Sequence, residues 1–416
     1  MNNYFTYTAI NGLNVIYYKK KGFVKSFCGI GCKYGGANVN YKFKGKKYKS
    51  PYGIAHFIEH KLFEMPDGTD AFTIFNTQYA TANAYTAPDK TLYYFTKNDD
   101  IYDSLKLLLE MYFTPTFTTL GIEKEKSIII SEINMYKDNP SYRMNIKGVN
   151  QLYPNDDYSY PIIGDEESVS NITKEDLYDA YDAFYTPNNS VLCIVGYYDE
   201  NELFRFIDKV LEGLTIRNTI TAEKLKTVTS RLPKKSISIE EAVSQTEAMI
   251  LLRNDKINNL DPISCEKVLG ILEAILNVSS RYYQELYNKK YFENDIDYQV
   301  VTFNESSYIM ISAPTKKPKA FINSIINKIM SLSKEDIDSI LVDVYLKYLK
   351  SSSILKLDSI EALGDTLLSL ALEDIDYFKA LEDIINLSYN DLLEIIDDIR
   401  NSSFTSLIFK PKSGNE

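Results

Sequence analysis

The chain has 416 residues, 44% of them hydrophobic and 25% charged, which is enough apolar material for large cores and too much length for one ordinary domain. A formal charge of −11 argues against nucleic acid as a partner, since that needs clustered Lys and Arg. No apolar run approaches the ~20 residues that span a bilayer, and the N-terminal stretch MNNYFTYTAINGLNVIYYKKKG lacks a basic segment followed by a long apolar one, so a cytoplasmic chain without a signal peptide is expected. Two apolar strands are predicted over residues 4–10 and 14–18, with a third over 24–33. The basic run KFKGKKYK (42–49) reads as a solvated loop. A helix follows over 51–63, with Ser50 as N-cap and Pro51 at its first position. Met65-Pro66-Asp67-Gly68 is a turn, and ATANAYTA and KTLYYFTK then read as strands. Helical periodicity returns in IYDSLKLLLEMYF and, after Pro115, over 121–136.

An internal echo organises the rest. ITKEDLYDAYDAFYTPNNSVLCIVG (172–196) is a capped helix leading into a buried strand, and LSYNDLLEIIDDIRNSSFTSLIFKP (387–411) repeats that layout. Ile172 matches Leu387, Asp176 matches Asp391, Leu177 matches Leu392 and Leu192 matches Leu407. One register held through a helix and its strand implies a duplicated α+β domain. The join is placed at the polar stretch 215–236, giving a first domain over 1–214 and a second over 237–416. Cys28, Cys32, Cys193 and Cys265 are few and scattered. The first two share a strand face, but no further Cys or His pair completes a tetrahedron, so they read as reduced thiols packed as small hydrophobes.

The chemistry lies in GIAHFIEHKLF. The chain has two histidines, His56 and His60, and Glu59 stands between them. Spacings of i, i+3 and i+4 put all three on one helix face, with β-carbons about 5–6 Å apart. Two imidazoles from one turn are what a tetrahedral Zn²⁺ needs, and a carboxylate beside them can take a proton from the attacking water. H-x-x-E-H is the reversed zincin motif. A lone His on an apolar helix would be read as a core residue; the only two in the chain at ligand spacing around a Glu are read as a metal site. A further ligand must come from another helix. EKEKSIIISEINMYKDNP supplies Glu125 and Glu132, seven apart and so on one face; one can bind the metal while the other orients a histidine ring.

In order along the chain, GIAHFIEHKLFEM, ATANAYTA, EKEKSIIISEINMYKDNP and YPIIGDEESVSNITKEDLYDAYDAFYTPNNSVLCIVG resemble the pitrilysin/insulinase-like metallopeptidases, over about residues 1–210. The resemblance implies two similar α+β domains per chain, each a mostly antiparallel sheet packed with helices, four of which enclose a peptidase chamber. It implies Glu132 as third zinc ligand, Glu125 behind the ligands, and Asn83, Ala84, Tyr85 and Thr86 on an edge strand that pairs with extended substrate. By the same likeness the second half is the non-metal domain, with Gly270-Ile271-Leu272-Glu273-Ala274 at the place of the motif. Active relatives often carry an Arg and a Tyr, seven apart, in that domain; here those positions hold Tyr287 and Asn294. A heterodimer with a related, zinc-less chain that supplies the missing donors is therefore expected, with a homodimer as second choice. The expected activity is zinc-dependent hydrolysis of extended peptides or small unfolded polypeptides, which includes leader-peptide or precursor processing. A non-catalytic scaffold subunit is the rival reading.

Overall fold

The computed structural model describes residues 3–225, 233, 236–254, 262–303 and 306–412, and the chain divides into two compact units. The first comprises Met1–Met135, Tyr160–Thr227 and Leu355–Tyr377. The second comprises Tyr136–Ser159, Val228–Ile354 and Phe378–Glu416. The units are thus not the contiguous 1–214 and 237–416 read from the sequence, because each includes a stretch from the other half of the chain.

The first unit is built on strands β1 (Tyr4–Thr8), β2 (Asn14–Lys19) and β3 (Ser26–Cys32), a hairpin β4 (Asn40–Phe43) and β5 (Lys46–Lys49), then β6 (Ala80–Thr86), β7 (Thr91–Lys97) and β8 (Ser190–Gly196). Its main sheet runs β1-β2-β8-β3-β7-β6, with β2 and β8 parallel and the other pairs antiparallel. Every residue of β3 (SFCGIGC) and β8 (SVLCIVG) is buried, as central strands covered on both faces require. Helices α1 (Ile54–Lys61), α2 (Ala71–Thr77), α3 (Tyr102–Phe113) and α4 (Thr119–Asp138) belong to this unit, apart from the last residues of α4. The helix Ile360–Leu372, from the other half of the sequence, packs on β3 and β8. Two glycines admit it. A Cβ on Gly29 would lie 3.0 Å from Leu368 Cδ2, and one on Gly364 would lie 2.2 Å from Phe27 Cδ1.

The second unit repeats the design. After β9 (Glu223–Lys224), which belongs to the first unit and pairs there with β4, its strands are β10 (Ile237–Glu241), β11 (Glu247–Arg253), β12 (Asp297–Phe303), β13 (Ser306–Pro314) and β14 (Ser403–Pro411). The sheet is β10-β14-β11-β13-β12, with β10 and β14 parallel. This is the β2-β8-β3-β7-β6 order over again. The row Val15–Leu192–Ile30–Tyr93–Ala84 across one sheet has its counterpart in Ile237–Leu407–Met249–Ser312–Asp297 across the other. Helix α5 (Pro140–Leu152), from the first half of the sequence, lies on β11 and β14, and a Cβ on Gly148 would meet Leu251 Cδ1 at 2.8 Å.

The sequence echo is a real equivalence. Thr173 and Asp176 form a capping box at the start of the helix Lys174–Phe184, and Ser388 and Asp391 form the same box before Tyr389–Leu393. Leu177 and Leu392, and Leu192 and Leu407, are fully buried. The expected duplicated α+β class is therefore the one observed. Four local readings differ. The helix expected over 51–63 begins at Ile54, because Gly53 takes a left-handed φ of 88° as its N-cap while Ser50 caps nothing there. A side chain at Gly53 would also strike Ile163 O at 2.6 Å. The basic run is no loop: Tyr41 pairs with Tyr48 across the β4–β5 hairpin and their rings stack at 5.2 Å, leaving the lysines facing solvent. The stretch 215–236 contains β9, and its residues 226–232, 234 and 235 lie outside the described residues. Strand β3 is shorter than expected at its start, where Val24 is exposed. Cys28, Cys32 and Cys193 are buried reduced thiols.

Candidate metal centre

Helix α1 presents His56 and His60 one turn apart, their ring centroids 4.6 Å from each other and the planes tilted by 52°. Helix α4 presents Glu125 and Glu132 on one face. The two helices meet so that Glu132 Oε2 lies 3.9 Å from His56 Nε2 and 3.8 Å from His60 Nε2. One ligand atom from each of these three residues falls within 4.8 Å of the others, the single such group of His, Cys, Asp and Glu among the described residues.

The electrostatics are those of a cation site. Burial, then the neighbouring His60, pushes His56 down to about 3, so its ring is neutral with one nitrogen lone pair available. His56 Nδ1 is buried without a hydrogen-bond partner, which leaves Nε2 as the ring's polar contact. His60 is held differently. Burial works against its charge, but Nδ1 lies 2.9 Å from Glu125 Oε1, and that bond together with the charges of Glu59, Glu125 and Glu132 raises its pKa overall. A proton on Nδ1 donated to Glu125 turns the Nε2 lone pair toward Glu132. Two imidazole nitrogens and a carboxylate at 3.8–3.9 Å approach the ~3.3 Å edge of a tetrahedron with zinc bonds of about 2.0 Å. The three ligand atoms lie within 4.8 Å of one another, so the side chains must draw together to close on an ion. The donor set fits zinc.

Glu59 stands beside this group and outside it. It is 8% exposed, and burial first of all raises its carboxyl above the usual range. Thr86 Oγ1 donates a hydrogen bond to Glu59 Oε2 at 2.5 Å, which opposes that shift and fixes the carboxylate. Thr86 ends β6, the last strand of its sheet, so one edge of β6 carries no strand partner in that sheet. Of the other edge residues, Asn83 and Ala84 line a pocket of about 510 Å³ together with Glu59, His60, Phe63 and Phe72. Phe63 and Phe72 stack at 3.9 Å within it. Tyr85 is committed elsewhere: its hydroxyl donates to Asp365 Oδ1 at 2.8 Å, in the helix Ile360–Leu372.

The structure brings together His56, Glu59, His60, Glu125 and Glu132, and sets Thr86 against Glu59. Sequence reasoning assigned Thr86 to the edge strand alone and overlooked its bond to Glu59. It also overlooked Phe63 and Phe72, whose one signal was a pair of aromatics flanking the Met65–Gly68 turn. Substituting Glu125 by Ala should leave the fold intact and weaken zinc affinity by about 10- to 100-fold, because His60 loses the partner that selects its tautomer. A competition titration against a chromophoric chelator checks this.

Comparison with known proteins gives the class. The family described as Insulinase (Peptidase family M16) matches residues 45–166, and the one described as Peptidase M16 inactive domain matches residues 171–349. The chain belongs to peptidase family M16, the insulinase family. It is 30% identical over 420 residues to the uncharacterized zinc protease YmfH of Bacillus subtilis, covering 97% of this chain and 95% of that one. To the uncharacterized zinc protease YmxG of the same organism it is 24% identical, over 76% of this chain and 77% of that one. Among solved structures, an M16-like peptidase from Alicyclobacillus acidocaldarius superposes with a TM-score of 0.88 at 23% identity, over 98% of both chains. A protease from Helicobacter pylori does so with 0.80 at 19% identity, over 98% of this chain and 99% of that one. These two likenesses show the fold. The chain's histidines both lie in the first half, so the second half has none to offer a metal. No helix among the described residues is long and apolar enough to cross a membrane.

Proposed function

We propose that the chain is a zinc-dependent endopeptidase that cleaves extended peptides or small unfolded polypeptides, with His56, His60 and Glu132 holding the metal and Glu59 as general base. The observation that carries this is the convergence of His56 Nε2 and His60 Nε2 on Glu132 Oε2, with the buried Glu59 beside them and outside the ligand set. Zinc, when bound, polarises the scissile carbonyl and acidifies the attacking water. The remaining work falls to the protein. Extended substrate adds to the open edge of β6 through main-chain hydrogen bonds, which gives affinity with little side-chain selectivity. Glu59, held by Thr86, takes the proton from water as the new C–O bond forms. It then passes that proton to the leaving amine as the C–N bond breaks. Glu125 keeps the His60 ring in place throughout.

The second half supports a further part of the reading. By the family resemblance, active relatives often carry an Arg and a Tyr in the non-metal domain, and the positions here are Tyr287, exposed on the helix Arg281–Asn288, and Asn294. Neither is a cation. A related chain without the metal motif, paired with this one, would provide the missing donors to the oxyanion. A homodimer is the second choice, and processing of a leader or precursor peptide is the role that suits such a pair.

The test is metal analysis of the purified chain together with peptide turnover, measured with and without the related chain. The expected result is about one zinc per chain, turnover that a chelator abolishes and added zinc restores, and a large stimulation by the partner. A chain that carries zinc but shows no turnover under either condition would favour the scaffold reading. Full turnover by the isolated chain would remove the heterodimer.

A further inference from the structure

The ligands come from two helices, so something must set α4 against α1. Lys61 follows His60 directly, and its side chain is only 1% exposed. A buried ammonium is costly without a partner. Its partner is Glu64, one turn further on, and the two are in contact. Glu64 Oε1 accepts a hydrogen bond from Thr118 Oγ1 at 3.1 Å, and that same Oγ1 accepts from Gly121 N at 3.0 Å, in the first turn of α4. Gly121 completes the fit. A Cβ there would stand 2.6 Å from Lys61 Nζ and 2.5 Å from Glu64 Oε2, so the ion pair seats against a bare Cα. Glycine is otherwise a poor choice inside a helix of 20 residues. From Gly121 the helix reaches Glu125 after about one turn and Glu132 after about three.

We propose that Lys61, Glu64 and Gly121 form a positioning clamp that fixes the separation and rotation of α4 against α1. The clamp brings Glu125 to His60 and turns Glu132 toward both imidazoles. This rests on the metal-centre reading above, with roles for residues that do not touch the metal. Adding a methyl group at Gly121 displaces the ends of the Lys61 and Glu64 side chains from their seat on α4, just ahead of both glutamates. Replacing Lys61 by methionine keeps the bulk and removes the cation that draws Glu64 and the α4 terminus to α1.

The test uses the full chain and titrates zinc against a chromophoric chelator for wild type, Gly121→Ala, Lys61→Met and, as a control on α4, Lys126→Ala, whose partner Glu123 is exposed. The visible spectrum of each cobalt-loaded protein reports ligand geometry directly. Circular dichroism and thermal melting confirm the fold. The expected result is zinc binding weakened about tenfold or more in Gly121→Ala and Lys61→Met, with an altered cobalt spectrum, and no change in the control. If Gly121→Ala fails to fold, Lys61→Met decides the comparison. A wild type that binds one zinc while both variants bind as tightly, with unchanged cobalt spectra, overturns the clamp alone. A wild type that takes up no zinc overturns the metal centre and the clamp with it.

Discussion

Replacing Glu59 by Gln is expected to leave about one zinc per chain and to lower peptide turnover by about 10²- to 10⁴-fold, the span that a positioned proton acceptor contributes. The change is nearly isosteric, and the amide can still accept the hydrogen bond from Thr86 at the same place. The His56, His60 and Glu132 atoms are untouched, so metal content should hold. What disappears is the capacity to take a proton from water and return it to the amine. The measurement pairs metal analysis with steady-state rates, taken with and without the proposed partner chain. Loss of zinc in the variant would mean that Glu59 belongs to the ligand set. Unchanged turnover would remove it from the chemistry.

The second large effect concerns folding. The helix Ile360–Leu372 buries Ile360, Leu363, Leu367, Leu368 and Leu372 within the first unit. At about 1.5–3 kcal/mol for each buried aliphatic side chain, that contact is worth roughly 7–15 kcal/mol before entropy is charged against it. A whole domain is stable by only about 5–15 kcal/mol. Residues 1–225 produced alone are therefore expected to be insoluble or molten, since the β3 and β8 face would be bare and Phe27 would lose its cover. Co-expression with residues 236–416 should restore a soluble complex that binds zinc. The loss is reciprocal, because the second fragment lacks α5 over β11 and β14. A well-folded, monomeric 1–225 fragment with a sharp thermal transition would overturn this.

The motif was legible in the sequence because it is local: helical periodicity alone puts His56, Glu59 and His60 on one face, and a chain with no other histidine leaves no competing pair. Glu125 and Glu132 were legible as a same-face pair for the same reason, and the need for a ligand from a second helix, with the family resemblance, pointed to their meeting with α1. The duplication was legible through its capping residues, Asp176 and Asp391, whose side chains close equivalent boxes. Non-local features left no comparable trace. The amphipathic pattern of residues 360–372 calls for an apolar surface and does not say whose. Ser50-Pro51 is a sound helix start by local rules, and it was overridden by the left-handed Gly53 and its approach to Ile163. The lysines of residues 42–49 hid a hairpin, because their charge masked the alternation of Tyr41, Phe43 and Tyr48.

The bond between Tyr85 and Asp365 carries an implication for anyone interpreting natural variants of this gene. Asp365 sits deep in the stretch that a linear map assigns to the metal-free domain, yet it anchors the strand on which the proposed reaction takes place. Damage there would loosen substrate alignment and raise KM with zinc content normal. A geneticist sorting alleles by position along the chain would file it with the wrong half of the protein.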